Sequence, residues 1–92
     1  MQNSLNNLRK KVNKTDEKIL ASLAARFTHT GKIGVIKAKY NLPIRDAKRE
    51  KELIEKNKKI ARGLGLDEKL VEKIYKLIFS VSCANHKKRK RL

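Results

Sequence analysis

Apolar side chains in the first part of the chain fall at Leu5, Leu8, Val12, Ile19, Leu23 and Phe27, with Leu20 and Ala24 widening the same stripe. Spacing of three and four residues puts them on one side of a helix. Asn3 or Ser4 is the expected cap, because a short polar side chain can accept from a first-turn N–H. Pro43 predicts an end near Asn41, since the residue before a proline is driven from the helical region. Gly31 and Gly34 weaken the pattern, each costing about 1 kcal/mol relative to Ala in a helix interior. Ile33, Val35, Ile36 and Ala38 nevertheless carry apolar character on to Tyr40, which favours continuity.

A second helix is announced by Asp46 as cap, followed by Leu53, Ile54, Ile60, Ala61 and Leu64, with Gly63 and Gly65 ending it. Asp67 then caps a third, in which Leu70, Val71, Ile74, Leu77, Ile78 and Val81 form the expected buried stripe. No segment alternates with the period of two that a strand needs. The pattern therefore predicts an all-α chain of three helices, one long and two shorter. At 1.5 Å per residue, about 36 residues reach ~54 Å, against a radius of gyration near ~12 Å for a compact chain of this length. Either such a helix bends at its glycines or its projecting half packs on a second chain. A chain of 92 residues buries only about 60–65% of its unfolded surface, and so thin a core favours the second outcome.

Charge changes the picture more than composition does. Lys and Arg number 25 against 9 Asp and Glu, a formal +16. Residues 1–45 carry ten basic and two acidic side chains, 46–86 carry ten and seven, and Lys87–Arg91 are all basic. We divide the chain accordingly into a domain, 1–86, and a basic C-terminal tail, 87–92, whose simplest reading is a frayed, solvated end. Two partners fit the balance: a nucleic acid, or a small substrate bearing several negative charges. For single-strand binding the four aromatics are few and mostly lie on apolar stripes. Gly31-Lys32-Ile33-Gly34 mimics the Gly-x-x-Gly loop of KH domains, but that fold needs strands. One Cys excludes an internal disulfide, and two His with one Cys cannot close a four-ligand zinc site, so no metal is expected. The polar first residues and the absence of a long apolar run predict a soluble, cytoplasmic protein.

Some polar positions do not read as plain surface. Arg26 and Lys37 are eleven residues apart, which at about 100° per residue is ~20° from three full turns. Both therefore project from one face, beside the apolar stripe. Asp46, Arg49 and Glu50 share a face of the second helix, a pattern that a capping Asp and a surface ion pair would also produce. Ser82 and His86 are one turn apart on the third. Arg9 points about 100° away from Arg26, so it cannot easily serve the same pocket in the same chain, though it could serve that of a partner.

Taken in order, Leu8-Arg9, Val12, Asp16, Ile19, Leu20, Leu23 and Arg26, then Ile36-Lys37, Pro43-Ile44-Arg45-Asp46, Arg49-Glu50 and Ser82, resemble the all-helical (AroQ-class) chorismate mutases. The resemblance covers roughly residues 5–86. It implies an intertwined homodimer of three-helix chains that rearranges chorismate to prephenate, without a cofactor, in phenylalanine and tyrosine biosynthesis. Carried over by position, Arg26 and Arg49 would bind the substrate carboxylates with Ser82 assisting, and Arg9 would complete that clamp across the dimer. Lys37 would hydrogen-bond the ether oxygen, while Glu50 and the Asp46 region would hold the ring hydroxyl. Lys37, Glu50 and His86 are thus the expected catalytic groups. His86 departs from the family, which usually has Gln or Glu as the second donor to the ether oxygen. Histidine changes charge between about pH 5 and 8, so activity is expected to vary there. The resemblance also leads us to expect a stand-alone enzyme. On this reading membrane association is not expected, and a basic helical nucleic-acid-binding protein is the alternative.

Overall fold

The computed structural model describes residues 1–91, and the side chains of residues 1–88. Leu92 of the basic tail therefore lies outside the described residues, as do the side chains from Arg89 onward. Three helices follow in order, α1 (Gln2–Lys39), α2 (Ala47–Gly63) and α3 (Glu68–Arg91), with no strand among the described residues. No helix among these residues is long and apolar enough to cross a membrane.

α1 runs unbroken through Gly31 and Gly34, as the apolar residues between and beyond them predict. It starts earlier than expected: Asn3 and Ser4 lie within it, and Leu5 N–H already donates to Met1 O at 3.1 Å. The chain divides at Thr30/Gly31 into two units, residues 1–30 and 31–92. The first is a single stretch of helix. Its stripe residues Leu8, Val12, Ile19 and Leu20 are 57%, 57%, 58% and 65% exposed, because one helix offers its own apolar side nothing to pack on.

In the second unit both helix ends close by the same device. At the end of α1, Asn41 adopts the left-handed conformation (φ 55°), Asn41 N–H donates to Ala38 O, and Leu42 N–H reaches back to Lys37 O at 2.8 Å. At the end of α2, Gly65 (φ 73°) and Leu66 repeat this on Arg62 O and Ala61 O. Each is a Schellman motif, which satisfies carbonyls that have lost their helical partner. Gly65, which has no Cβ to clash, is the α2 terminator, whereas Gly63 remains helical. Asp46 and Asp67 cap α2 and α3 as expected, through Arg49 N–H at 3.0 Å and Lys69 N–H at 2.9 Å.

α2 and α3 pack on each other. Ala61, Val71, Phe79 and Ser82 are the buried residues of this pair, and the Tyr75 and Phe79 rings lie 5.9 Å apart. The stripe expected on α3 is only partly interior. Val71 is buried and Ile78 half-buried, but Leu70, Ile74, Leu77 and Val81 are exposed. Helix α2 covers one side of α3, and the apolar band is wider than that side. Ionic contacts tie the pair: Arg62 to Glu68 at 2.8 Å, and Lys58 to Glu72 at 3.9 Å. The hydrogen bond from Arg62 holds the Glu68 carboxyl below its ordinary range.

Candidate active site

The Schellman turn that ends α1 sends Pro43 and Ile44 back past the last turn of the helix. Lys37, half-buried, donates from Nζ to Ile44 O at 3.0 Å. An ammonium has three donors, so two remain for a ligand. The next residue, Arg45, turns both Nε and Nη2 onto Glu50 Oε1, at 3.2 and 3.1 Å. Asp46 follows as the cap of α2. Three consecutive residues thus fix the Lys37 side chain, the Glu50 side chain and the start of α2.

The ionic partner of Glu50 is Arg45, not Arg49, although both arginines are within reach in sequence. Arg49 stays exposed and its side chain is available, while its backbone N–H serves the cap. The Glu50 side chain is only 17% exposed, and its Oε2 accepts no hydrogen bond among the described residues. Spacing alone gave Arg45 no role. The signal that identifies it is an opposite charge five residues away across a helix cap, where the chain doubles back enough for the two ends to meet.

Ser82 and His86 occupy successive turns of α3, the first buried and the second half-buried. Ser82 Oγ has no hydrogen-bond partner among the described residues. A buried hydroxyl left without a partner costs free energy comparable to a lost hydrogen bond, so it is a natural place for a ligand oxygen. Between α2 and α3 lies a cleft of about 530 Å³ lined by Arg45, Glu50, Ile54, Glu72, Lys76 and Phe79. Arg9 and Arg26 belong to the first unit, Arg9 exposed and Arg26 half-buried. The second unit gathers Lys37, Asp46, Arg49 and Glu50 around one loop and places Ser82 and His86 on α3.

Around this loop Lys37, Arg45 and Arg49 supply the cations, and Asp46 and Glu50 supply carboxylates where α2 begins. Such an array suits a compact anion with several oxygens: arginine forks for carboxylates, an ammonium for a single oxygen, and a carboxylate for a hydroxyl.

A family profile described as chorismate mutase type II matches residues 8–87. The chain is 41% identical over 88 residues, 91% of its length, to the bifunctional chorismate mutase/prephenate dehydratase of Aquifex aeolicus, and covers 24% of that protein. It is 33% identical over 81 residues, 88% of its length, to the protein of the same name from Escherichia coli, covering 21% of it. Against the chorismate mutase of Methanocaldococcus jannaschii it is 31% identical over 78 residues, 85% of this chain and 79% of that one. The chain thus spans about a quarter of the bifunctional relatives and most of the archaeal one. None of these relatives supports the nucleic-acid alternative, which rested on charge alone. With a match that begins just before Arg9 and ends just beyond His86, the chain belongs to the chorismate mutase type II family.

Proposed function

We propose that this chain is a chorismate mutase, converting chorismate to prephenate in the supply of phenylalanine and tyrosine, with residues 1–86 as the active domain and the cytoplasm as its place. The observation that carries the reading is the loop at Ile44–Asp46, which presents the Lys37 ammonium and the Glu50 carboxylate beside the exposed Arg49. The rearrangement breaks a C–O bond and forms a C–C bond within one molecule, so no proton, electron or atom is exchanged with the protein. What the side chains supply is conformation and charge.

Arg26 and Arg49 bind the two carboxylates and hold the flexible dianion in the folded conformer from which the bonds exchange, with Ser82 Oγ as a further donor. Confining the reacting ends in this way removes entropy from the barrier before the chemical step. Lys37 donates to the ether oxygen, where negative charge grows as the C–O bond lengthens, and His86 is the second donor there. A donor aimed at charge that exists only in the transition state raises turnover rather than affinity. Glu50 and the Asp46 region accept from the ring hydroxyl and fix the orientation of the ring.

We place Arg9 in the site of a second copy. The exposed apolar stripe of residues 1–30 supports an intertwined homodimer, because an isolated amphipathic helix of this length depends on packing for its stability. Arg9 lies on that same exposed helix.

The test is loss of chorismate ultraviolet absorbance with purified protein, confirmed by prephenate formation, beside Lys37→Ala and Arg49→Ala. Turnover that either substitution abolishes is the expected result. A folded dimer that leaves chorismate untouched would overturn the reading.

A further inference from the structure

We infer that Arg45 is a positioning residue for Glu50, holding one carboxylate oxygen so that the other meets the substrate hydroxyl. This rests on the mutase reading above. Arg45 directs two N–H groups onto a single oxygen, Glu50 Oε1, at 3.2 and 3.1 Å, and leaves Oε2 open. Glu50 is largely withdrawn from water while Arg45 is 70% exposed, so the carboxylate has few other donors and the guanidinium is its main one.

Arg45 is itself held from both sides. The carbonyl before it, Ile44 O, is bonded by Lys37 Nζ at 3.0 Å, and the residue after it, Asp46, is bonded to the first turn of α2 at 3.0 Å. An arginine on a free loop would lose most of such a contact to side-chain and backbone entropy. Here the backbone is fixed by the same bonds that fix Lys37 and α2. Both side chains also border the α2–α3 cleft, with the aliphatic part of Ile54 and the Phe79 ring nearby. Arg45 commits both Nε and Nη2 to Glu50, so its part in the site is to hold that carboxylate.

A defect of this kind has a distinct kinetic signature. The ring hydroxyl is not where charge develops, so a misplaced Glu50 weakens ground state and transition state alike, raising KM with kcat nearly unchanged. A purely structural defect lowers the amount of folded enzyme, which reduces apparent kcat and leaves KM alone. The experiment is steady-state kinetics on wild type, Arg45→Ala, Arg45→Lys, Glu50→Ala and the Arg45→Ala/Glu50→Ala pair, with helicity checked by circular dichroism. We expect Arg45→Ala to raise KM by about 10- to 100-fold, the scale of one lost hydrogen bond to a charged group. Arg45→Lys should recover part of the loss. In the Glu50→Ala background the Arg45 substitution should cost less than about twofold, since coupled residues are not additive. An unchanged KM, or an equal loss with and without Glu50, would overturn the inference while leaving the mutase reading intact. A folded wild type without turnover would overturn both.

Discussion

Lys37 shows how much a single side chain can be specified by its neighbours. Its ammonium is tethered by Ile44 O yet keeps two donors, so it is oriented before any substrate arrives. Lys37→Ala is expected to lower kcat by ~10²–10³ with a smaller change in KM, which single-turnover and steady-state measurements together will show. His86, one turn beyond Ser82 on α3, is the second donor proposed for the ether oxygen. His86→Ala should lower kcat less than Lys37→Ala does, and an unchanged kcat would remove His86 from the mechanism. Spacing singled out Lys37, Asp46, Arg49, Glu50, Ser82 and His86 but fitted a cap and a surface ion pair as well, and only the resemblance gave them expected roles. The partnership of Arg45 with Glu50 was not legible, because it depends on how sharply the chain turns between Lys39 and Asp46.

Elements here are defined chiefly by their ends. Asp46→Ala removes the α2 cap and is expected to cost about 1 kcal/mol in urea denaturation, with no change in slope. The Cβ of Gly65→Ala would meet nothing within 4 Å, so its cost is purely that of the left-handed backbone, about 1–2 kcal/mol. Glu68, drawn below its ordinary range by Arg62, gives a pH-dependent contribution. A carboxyl with a lowered folded-state pKa stabilises above its unfolded value and loses that effect as pH falls through the folded one. The difference in melting temperature between wild type and Glu68→Gln should therefore be greatest near neutral pH and fade in acid. Pro43, Gly65 and the two capping aspartates announced these ends in the sequence. The left-handed Asn41 was not anticipated, since asparagine only tolerates that conformation and does not demand it.

At the scale of the molecule, the unsatisfied quantity is apolar surface. Leu8, Val12, Ile19 and Leu20 on α1, and Leu70, Leu77 and Val81 on α3, stand exposed at 47% or more in the single chain. We expect a melting temperature that rises with protein concentration, as linked folding and association require. Arg9→Ala and Arg26→Ala should each be nearly inactive alone. Mixed after joint refolding, they should recover about a quarter of wild-type turnover, since half the dimers are mixed and each holds one intact site. Recovery of none would place Arg9 outside the partner's site.

The helical periodicity, the glycine and proline punctuation and the capping residues determined three helices and their approximate bounds, because each is a local property of the backbone. The ordered set from Arg9 to Ser82 was likewise enough to suggest the family, since its residues keep their spacing along the chain. Which face of α3 is interior, and which arginine holds Glu50, were decided only by the tertiary structure. Both depend on what a neighbouring segment covers or reaches, and periodicity tells which side of a helix is apolar without telling what packs against it.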